Sequence, residues 1–172
     1  MARSLTSSDK SASKLLSARD GRQEALAQAL SQGFQSTIFL TLNIPGSDKH
    51  LSGSHGLFHW ALAEVQQTFA SLTSLENGSD ALGNYAIIGV SQASSEVKRQ
   101  CMTMESSNPA ARLIDLDVYS ENGEQIDRKS LGFSARPCLL CHESAVECIR
   151  VQRHDLHQVI RKVHELLTPF RP

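Results

Sequence analysis

Asp115 and Asp117 stand two residues apart in the run Arg112-Leu113-Ile114-Asp115-Leu116-Asp117-Val118. On a strand, residues i and i+2 share a face about 6–7 Å apart, so these carboxylates converge while Ile114, Leu116 and Val118 pack the other face. Two acids on so apolar a strand repel each other and lose hydration, a cost that a positive partner offsets. Mg²⁺ suits the position, because it takes oxygen ligands and keeps waters and phosphate oxygens in its shell. Asp-x-Asp on a strand is a common way for phosphoryl- and nucleotidyl-transferring sites to hold that ion. The same pair at a strand end also suits exposure to solvent or pairing with Lys and Arg.

A second constellation lies further on, where Cys138, Cys141, Cys148 and His154 form a C-x2-C-x6-C-x5-H array. Three thiolates and one imidazole suit tetrahedral zinc. Two buried thiols packing the last helices, or a redox pair, are the alternatives. His142, His157 and His164 read as surface residues, whereas His50, His55 and His59 lie near a Gly-rich connection that can approach a substrate.

The elements that must position these residues follow from periodicity and punctuation. Residues 1–14 are Ser-rich and polar and read as a disordered arm. A helix is expected from about Asp20, its N-cap, with Leu26, Ala29 and Leu30 at helical spacing and Gly33 as the stop. Ser36–Leu42 reads as a buried strand ending in the turn Asn43-Ile44-Pro45-Gly46. A long helix is expected over Leu57–Leu72, a loop over Glu76–Asp80 and a strand over Tyr85–Val90. Ser95–Glu105 reads as a helix stopped by Pro109, and Leu113–Tyr119 as the strand that carries the acids. Glu121-Asn122-Gly123-Glu124 is the strongest hairpin turn. Helices over Glu143–Val151 and Leu156–Leu167 close the chain. This alternation predicts an α/β (or α+β) class: one domain with a mixed β-sheet flanked by helices and a C-terminal helical tail.

Composition narrows the function classes. The 172 residues carry a net charge of -1 and only 5% aromatics, which argues against a surface built to coat nucleic acid or an anionic membrane, or a base-stacking platform. No run approaches the 18 or so apolar residues of a membrane helix, and the first residues lack the apolar core of a secretory signal. The cytoplasm is the expected compartment, where the four cysteines are reduced thiols or metal ligands.

Four segments, in order along the chain, resemble the citrate lyase holo-acyl-carrier-protein synthases of the CitX type. Leu16-Ser17-Ala18-Arg19-Asp20-Gly21-Arg22-Gln23 resembles that family's N-terminal ARE-x-R signature, and Leu42 to Lys49 resembles its NIPG-x-x-K turn. Arg112 to Val118 is similar to the GRL-x-D-x-DV strand. Arg136 to Cys141, with Cys148, Arg150 and His154, is similar to the cysteine-bearing tail. Ala111 stands where the family usually has Gly, Ile114 where an aromatic is common, and the stretch from Val90 to Glu96 is short.

The resemblance implies a nucleotidyltransferase-like domain over residues 15–172. Its expected reaction moves phosphoribosyl-dephospho-CoA from 2'-(5''-triphosphoribosyl)-3'-dephospho-CoA to a serine of the apo acyl carrier protein subunit of citrate lyase, and pyrophosphate leaves. On that reading Asp115 and Asp117 bind Mg²⁺ against the triphosphate, and one of them helps deprotonate the carrier serine. Arg19, Arg22, Asn43, Lys49, Arg112, Arg128 and Arg136 are the candidate substrate contacts. Glu105 is either a third carboxylate of the site or an ordinary exposed Glu. The rival readings are a related transferase serving the malonate decarboxylase carrier and a non-enzymatic, zinc-stabilised adaptor that binds a carrier protein. No nucleic acid or membrane partner is expected.

Overall fold

The protein's structure, a computed structural model, describes residues 7–172. The β-branched and apolar residues of Ser36–Leu42 form β1, and its partner strands grow on both sides. Helix α1 (Ser7–Leu30) precedes it, and α2 (Ser54–Thr68) follows. Then come β2 (Leu72–Asp80), β3 (Gly83–Val90), α3 (Ser94–Met104) and β4 (Ile114–Ser120). A short β5 (Gln125–Ile126) and the helices α4 (Ala145–Arg150) and α5 (Leu156–Leu167) complete the chain. The strand order is β2-β3-β1-β4-β5 and every pairing is antiparallel, where a mixed sheet was expected. The succession β1-α2-β2-β3-α3-β4 in that order is the split β-α-β arrangement of ferredoxin-like folds.

Alternation along the strands sorts the two faces. Ile38 and Leu40 of β1, Ala86, Ile88 and Val90 of β3, and Ile114, Leu116 and Val118 of β4 join one core with Leu57, Phe58, Ala61 and Val65 of α2 and Val97, Cys101 and Met104 of α3. Burial pushes the Cys101 thiol well up, as befits a core side chain. On the opposite face Ala25 and Ala29 of α1 cover Ile87, with Phe39 and Tyr85 packed edge to face at 6.1 Å. Among the described residues helix α1 packs chiefly on β1, β2 and β3, with at most a weak contact to β4. The outward residues Asp115, Asp117 and Tyr119 of β4 are therefore only half-buried on that face.

Three local expectations change. The first helix starts at Ser7 and runs through Asp20, so residues 7–14 are helical rather than a disordered arm, and Asp20 is not a cap; residues 1–6 of that arm lie outside the described residues. The stretch 76–80, expected as a loop, is the second half of β2, an edge strand whose register shifts between Ser74 and Glu76. That bulge breaks the period-2 signal, and the strand's outer edge faces water, so its sequence carries little apolar pattern. Helix α2 ends at Thr68, four residues before Leu72, because Leu72 pairs with Val90. The strand Ser36–Leu42, the helix Leu156–Leu167 and the hairpin turn at Gly123 (φ 78°) stand as read.

The tail is fastened through the Gly-rich connection. Gly53 has φ 93°, and a Cβ there would lie 2.5 Å from the carbonyl oxygen of Leu167 at the end of α5. Only glycine allows both the left-handed turn and this approach. Gly53→Ala is expected to destabilise the protein by about 2 kcal/mol, read as a lower urea midpoint at unchanged slope.

Candidate functional site

The strand β4 sets the site. Asp115 faces Thr41 and Asp117 faces Phe39 across the β1–β4 ladder, so both acids project from the half-buried outer face of β4. Burial raises the pKa of Asp115 first, the Asp117 charge raises it further, and Arg136 counteracts both. Asp117 accepts a hydrogen bond from Gln125 Nε2 at 2.8 Å.

Because β5 is only two residues long, β4 has an unpaired edge from Ile114 to Leu116. Side chains complete it. Lys98 Nζ donates to the Leu116 carbonyl at 2.7 Å, and the Leu116 N–H donates to Glu105 Oε1 at 2.9 Å. Arg136 Nη1 donates to the Ile114 carbonyl at 3.0 Å. Glu105 is 3% exposed, and its other contacts are Arg136 at 2.7 Å and Arg128 at 2.5 Å. Arg136 in turn reaches Asp115 at 3.2 Å. Glu105 is thus neither exposed nor free to join the two aspartates as a ligand, since its oxygens are taken by two arginines and a peptide N–H. Lys98 and Glu105 are seven residues apart, two helical turns, and lie together along one side of the core stripe Val97–Cys101–Met104, a spacing that shows their shared face but not their partners.

Beside this edge lies a cleft of about 670 Å³ between the end of β1, the helical turn Ala110–Leu113, the cysteine loop and α5. Asn43, Arg112 and Arg136 form its polar end; Pro45, Leu139, Ile149, Leu156 and Val159 form apolar walls. The apolar lining was not legible beforehand, since Ile149 and Leu156 are exposed helical residues that meet only in three dimensions. Arg112 donates to the carbonyls of Pro137 (3.0 Å) and Cys138, tying the turn to the loop.

The remaining basic candidates gather elsewhere. Arg22 pairs with Asp80 through two bonds of 2.8 Å, donates to the Gly83 carbonyl at 2.7 Å and stacks over Tyr85 at 4.6 Å. Lys49 Nζ donates to the Ile44 carbonyl, closing its own turn, and burial lowers its pKa. Lys49 also lies against Gly83, and His50 Nε2 sits 2.8 Å from the Asp80 carbonyl. Arg19 is exposed on α1. This group lies at the same end of the sheet as the cleft but on the other flank of β1. His55 and His59 are exposed, with Nε2 atoms 3.1 Å apart on the first turns of α2.

The cysteine array closes on itself. The ligand atoms of Cys138, Cys141, Cys148 and His154 lie within 4.8 Å of one another, the one such cluster of three or more among the described residues. Cys141 Sγ is 3.5 Å from Cys148 Sγ and 3.3 Å from His154 Nε2. A tetrahedral zinc with bonds of about 2.3 Å holds its sulfurs about 3.8 Å apart, so the donor set fits. The loop is a small hairpin: Cys138 N–H donates to the Glu143 carbonyl at 2.7 Å and Ala145 N–H to the Arg136 carbonyl at 2.9 Å. Burial raises the Cys138 thiol, but N–H groups of Leu140 and Cys141 and the neighbouring thiols outweigh it and bring the pKa down. The site is compatible with zinc.

A family model described as CitX, apo-citrate lyase phosphoribosyl-dephospho-CoA transferase, matches residues 10–170. The chain belongs to this family. Among curated relatives, the apo-citrate lyase phosphoribosyl-dephospho-CoA transferase of Citrobacter koseri is 27% identical over 158 residues, which covers 90% of this chain and 86% of that protein. The protein of the same name from Escherichia coli O139:H28 is 29% identical over 164 residues, covering 90% and 86%. Protein CitXG of Haemophilus influenzae is 29% identical over 161 residues, or 88% of this chain. The chain spans about a third of the length of the CitXG proteins it matches. The CitX match takes in the acid pair, the cleft and the Cys3His cluster together. No helix among the described residues is long and apolar enough to cross a membrane.

Within this CitX-family chain, Arg22 holds α1 to the β2–β3 turn. Arg22→Met is expected to cost about 3 kcal/mol by leaving Asp80 without its cation, measured by equilibrium denaturation.

Proposed function

We propose that the protein is an apo-citrate lyase phosphoribosyl-dephospho-CoA transferase. Its donor would be triphosphoribosyl-dephospho-CoA, its acceptor a serine of the apo acyl carrier subunit of citrate lyase, and pyrophosphate the leaving group. The observation that carries this reading is the contact of Asp115, which shares a strand face with Asp117, with Arg136, which in turn lines the polar end of an amphipathic cleft. A substrate with a charged polyphosphate and a long pantetheine arm asks for both a polar end and apolar walls of this kind. An adaptor without catalysis has no use for two acids on one strand face. The relatives named as citrate lyase transferases favour that carrier over a malonate decarboxylase carrier.

In this mechanism the carrier serine oxygen attacks the α-phosphorus in line, the bond to pyrophosphate breaks, and the serine proton passes to the Asp115–Asp117 pair. Those two carboxylates would also hold Mg²⁺, which supplies charge neutralisation on the phosphate oxygens. Asn43 and Arg112 orient the phosphoribosyl end in the cleft, with Arg136 and Arg128 beside the leaving group. Zinc held by Cys138, Cys141, Cys148 and His154 would be structural, because all four positions of a tetrahedron are filled by protein. Its three thiolates need the reducing conditions of the cytoplasm, where we place the protein.

The test is the intact mass of apo citrate lyase carrier incubated with this protein, Mg²⁺ and the triphosphoribosyl donor. A gain equal to phosphoribosyl-dephospho-CoA is expected, and Asp117→Ala is expected to slow that gain by about 100-fold or more. An unmodified carrier, or an undiminished rate in the variant, overturns the assignment. Metal analysis is expected to return about one zinc per chain, lost in Cys148→Ser along with much of the thermal stability.

A further inference from the structure

Glu105 has no place in the reaction just described, yet it is a buried carboxylate bound by two different arginines and a peptide N–H. It is buried at the end of α3 and makes ion pairs through both oxygens: Oε1 to Arg136 at 2.7 Å and Oε2 to Arg128 at 2.5 Å. The Leu116 N–H fills a further lone pair. Stability alone is a weak reason for this arrangement, since well-packed apolar side chains of similar volume often do as well as a buried ion triad. An apolar triad lacks one property: it cannot hold two guanidinium groups side by side at a protein surface.

Both arginine side chains keep about a fifth of their surface in solvent, 22% for Arg128 and 23% for Arg136. Two such cations repel each other unless an anion lies between them, and Glu105 is that anion on the inner side. One carboxylate offsets one of the two charges. Arg136 is the arm that reaches the acid pair, through Asp115 at 3.2 Å. Arg128 binds Glu105 through Nη2 alone, and no other side-chain bond of Arg128 is found among the described residues. Its remaining guanidinium N–H groups are available to a ligand. Two adjacent guanidinium groups can donate to both phosphates of a diphosphate, where a single arginine serves one.

We propose that Glu105 is a positioning residue that presents Arg128 and Arg136 as a paired clamp for the pyrophosphate end of the donor. This rests on the transferase reading above and extends it to the leaving group. Glu105 itself touches neither substrate nor metal.

The probe is inorganic pyrophosphate, measured both by direct calorimetric titration of the full-length protein and as a product inhibitor of carrier modification. Glu105→Gln keeps the side-chain shape and an acceptor for the Leu116 N–H but removes the charge that holds the arginines. It is expected to weaken pyrophosphate binding and to raise KM for the triphosphoribosyl donor, each by about tenfold, while kcat changes by less than about threefold. Glu105→Asp is expected to recover part of the pyrophosphate affinity. A folded Glu105→Gln protein with wild-type pyrophosphate affinity and KM overturns the clamp, as does one that loses kcat alone. Should Glu105→Gln fail to fold, Arg128→Gln leaves Glu105 paired with Arg136 and is expected to give the same loss; unchanged affinity there overturns the proposal equally. Wild-type protein that binds pyrophosphate but leaves the carrier unmodified counts against the transferase reading rather than the clamp.

Discussion

An incomplete sheet edge governs the chemistry of this protein. Strand β4 has β1 on one side along its whole length but only a two-residue partner on the other. The main-chain groups of Ile114 and Leu116 would otherwise be unpaired against a packed helix, which costs as much as losing the hydrogen bonds outright. Lys98, Glu105 and Arg136 supply the missing partners from three directions. In doing so they bring a buried carboxylate, an ammonium and a guanidinium to within one residue of Asp115. Finishing the sheet and setting the charge pattern at the acids are thus done by the same side chains.

The same edge links the two constellations that the sequence shows as separate. Arg136 is both the cap on Ile114 and the residue whose carbonyl accepts from Ala145 in the cysteine hairpin. Arg112, one turn ahead of β4, holds the carbonyls of Pro137 and Cys138. A metal at the Cys3His cluster would therefore stiffen a loop that is already tied to β4 and to the turn before it. The cleft between them inherits its shape from both sides, with arginines on the β4 side and Ile149, Leu156 and Val159 on the α4–α5 side.

Charge also divides by location. The near-zero total of the chain conceals two groups at one end of the sheet, separated by β1. On one flank Arg22 braces the turn between β2 and β3 through Asp80 and Gly83, and Lys49 closes its own turn on the Ile44 carbonyl. On the other flank Arg128 and Arg136 pair with acids, and Arg112 holds two carbonyls of the cysteine loop. Both groups contain arginine, so residue type alone does not tell which side chains brace the fold.

What the amino-acid order determined by itself is whatever depends on short range. The alternation in Ser36–Leu42 and Ile114–Ser120 specified both strands and put Asp115 and Asp117 on one face, because the side-chain period of a strand is fixed at two. The spacing of Cys138, Cys141, Cys148 and His154 likewise brought the four side chains together, through a tight hairpin and one short helix. Tertiary structure decided the rest. A polar, bulged edge strand such as β2 is a strand only because β3 offers it hydrogen bonds. The antiparallel order comes from how the two β-α-β halves interleave, which no single segment encodes. The fate of Glu105 was settled by an unpaired peptide N–H and two arginines that follow it in the sequence by 23 and 31 residues. Burial and partnership are properties of the assembled sheet, and a charged residue's role follows from them rather than from its type.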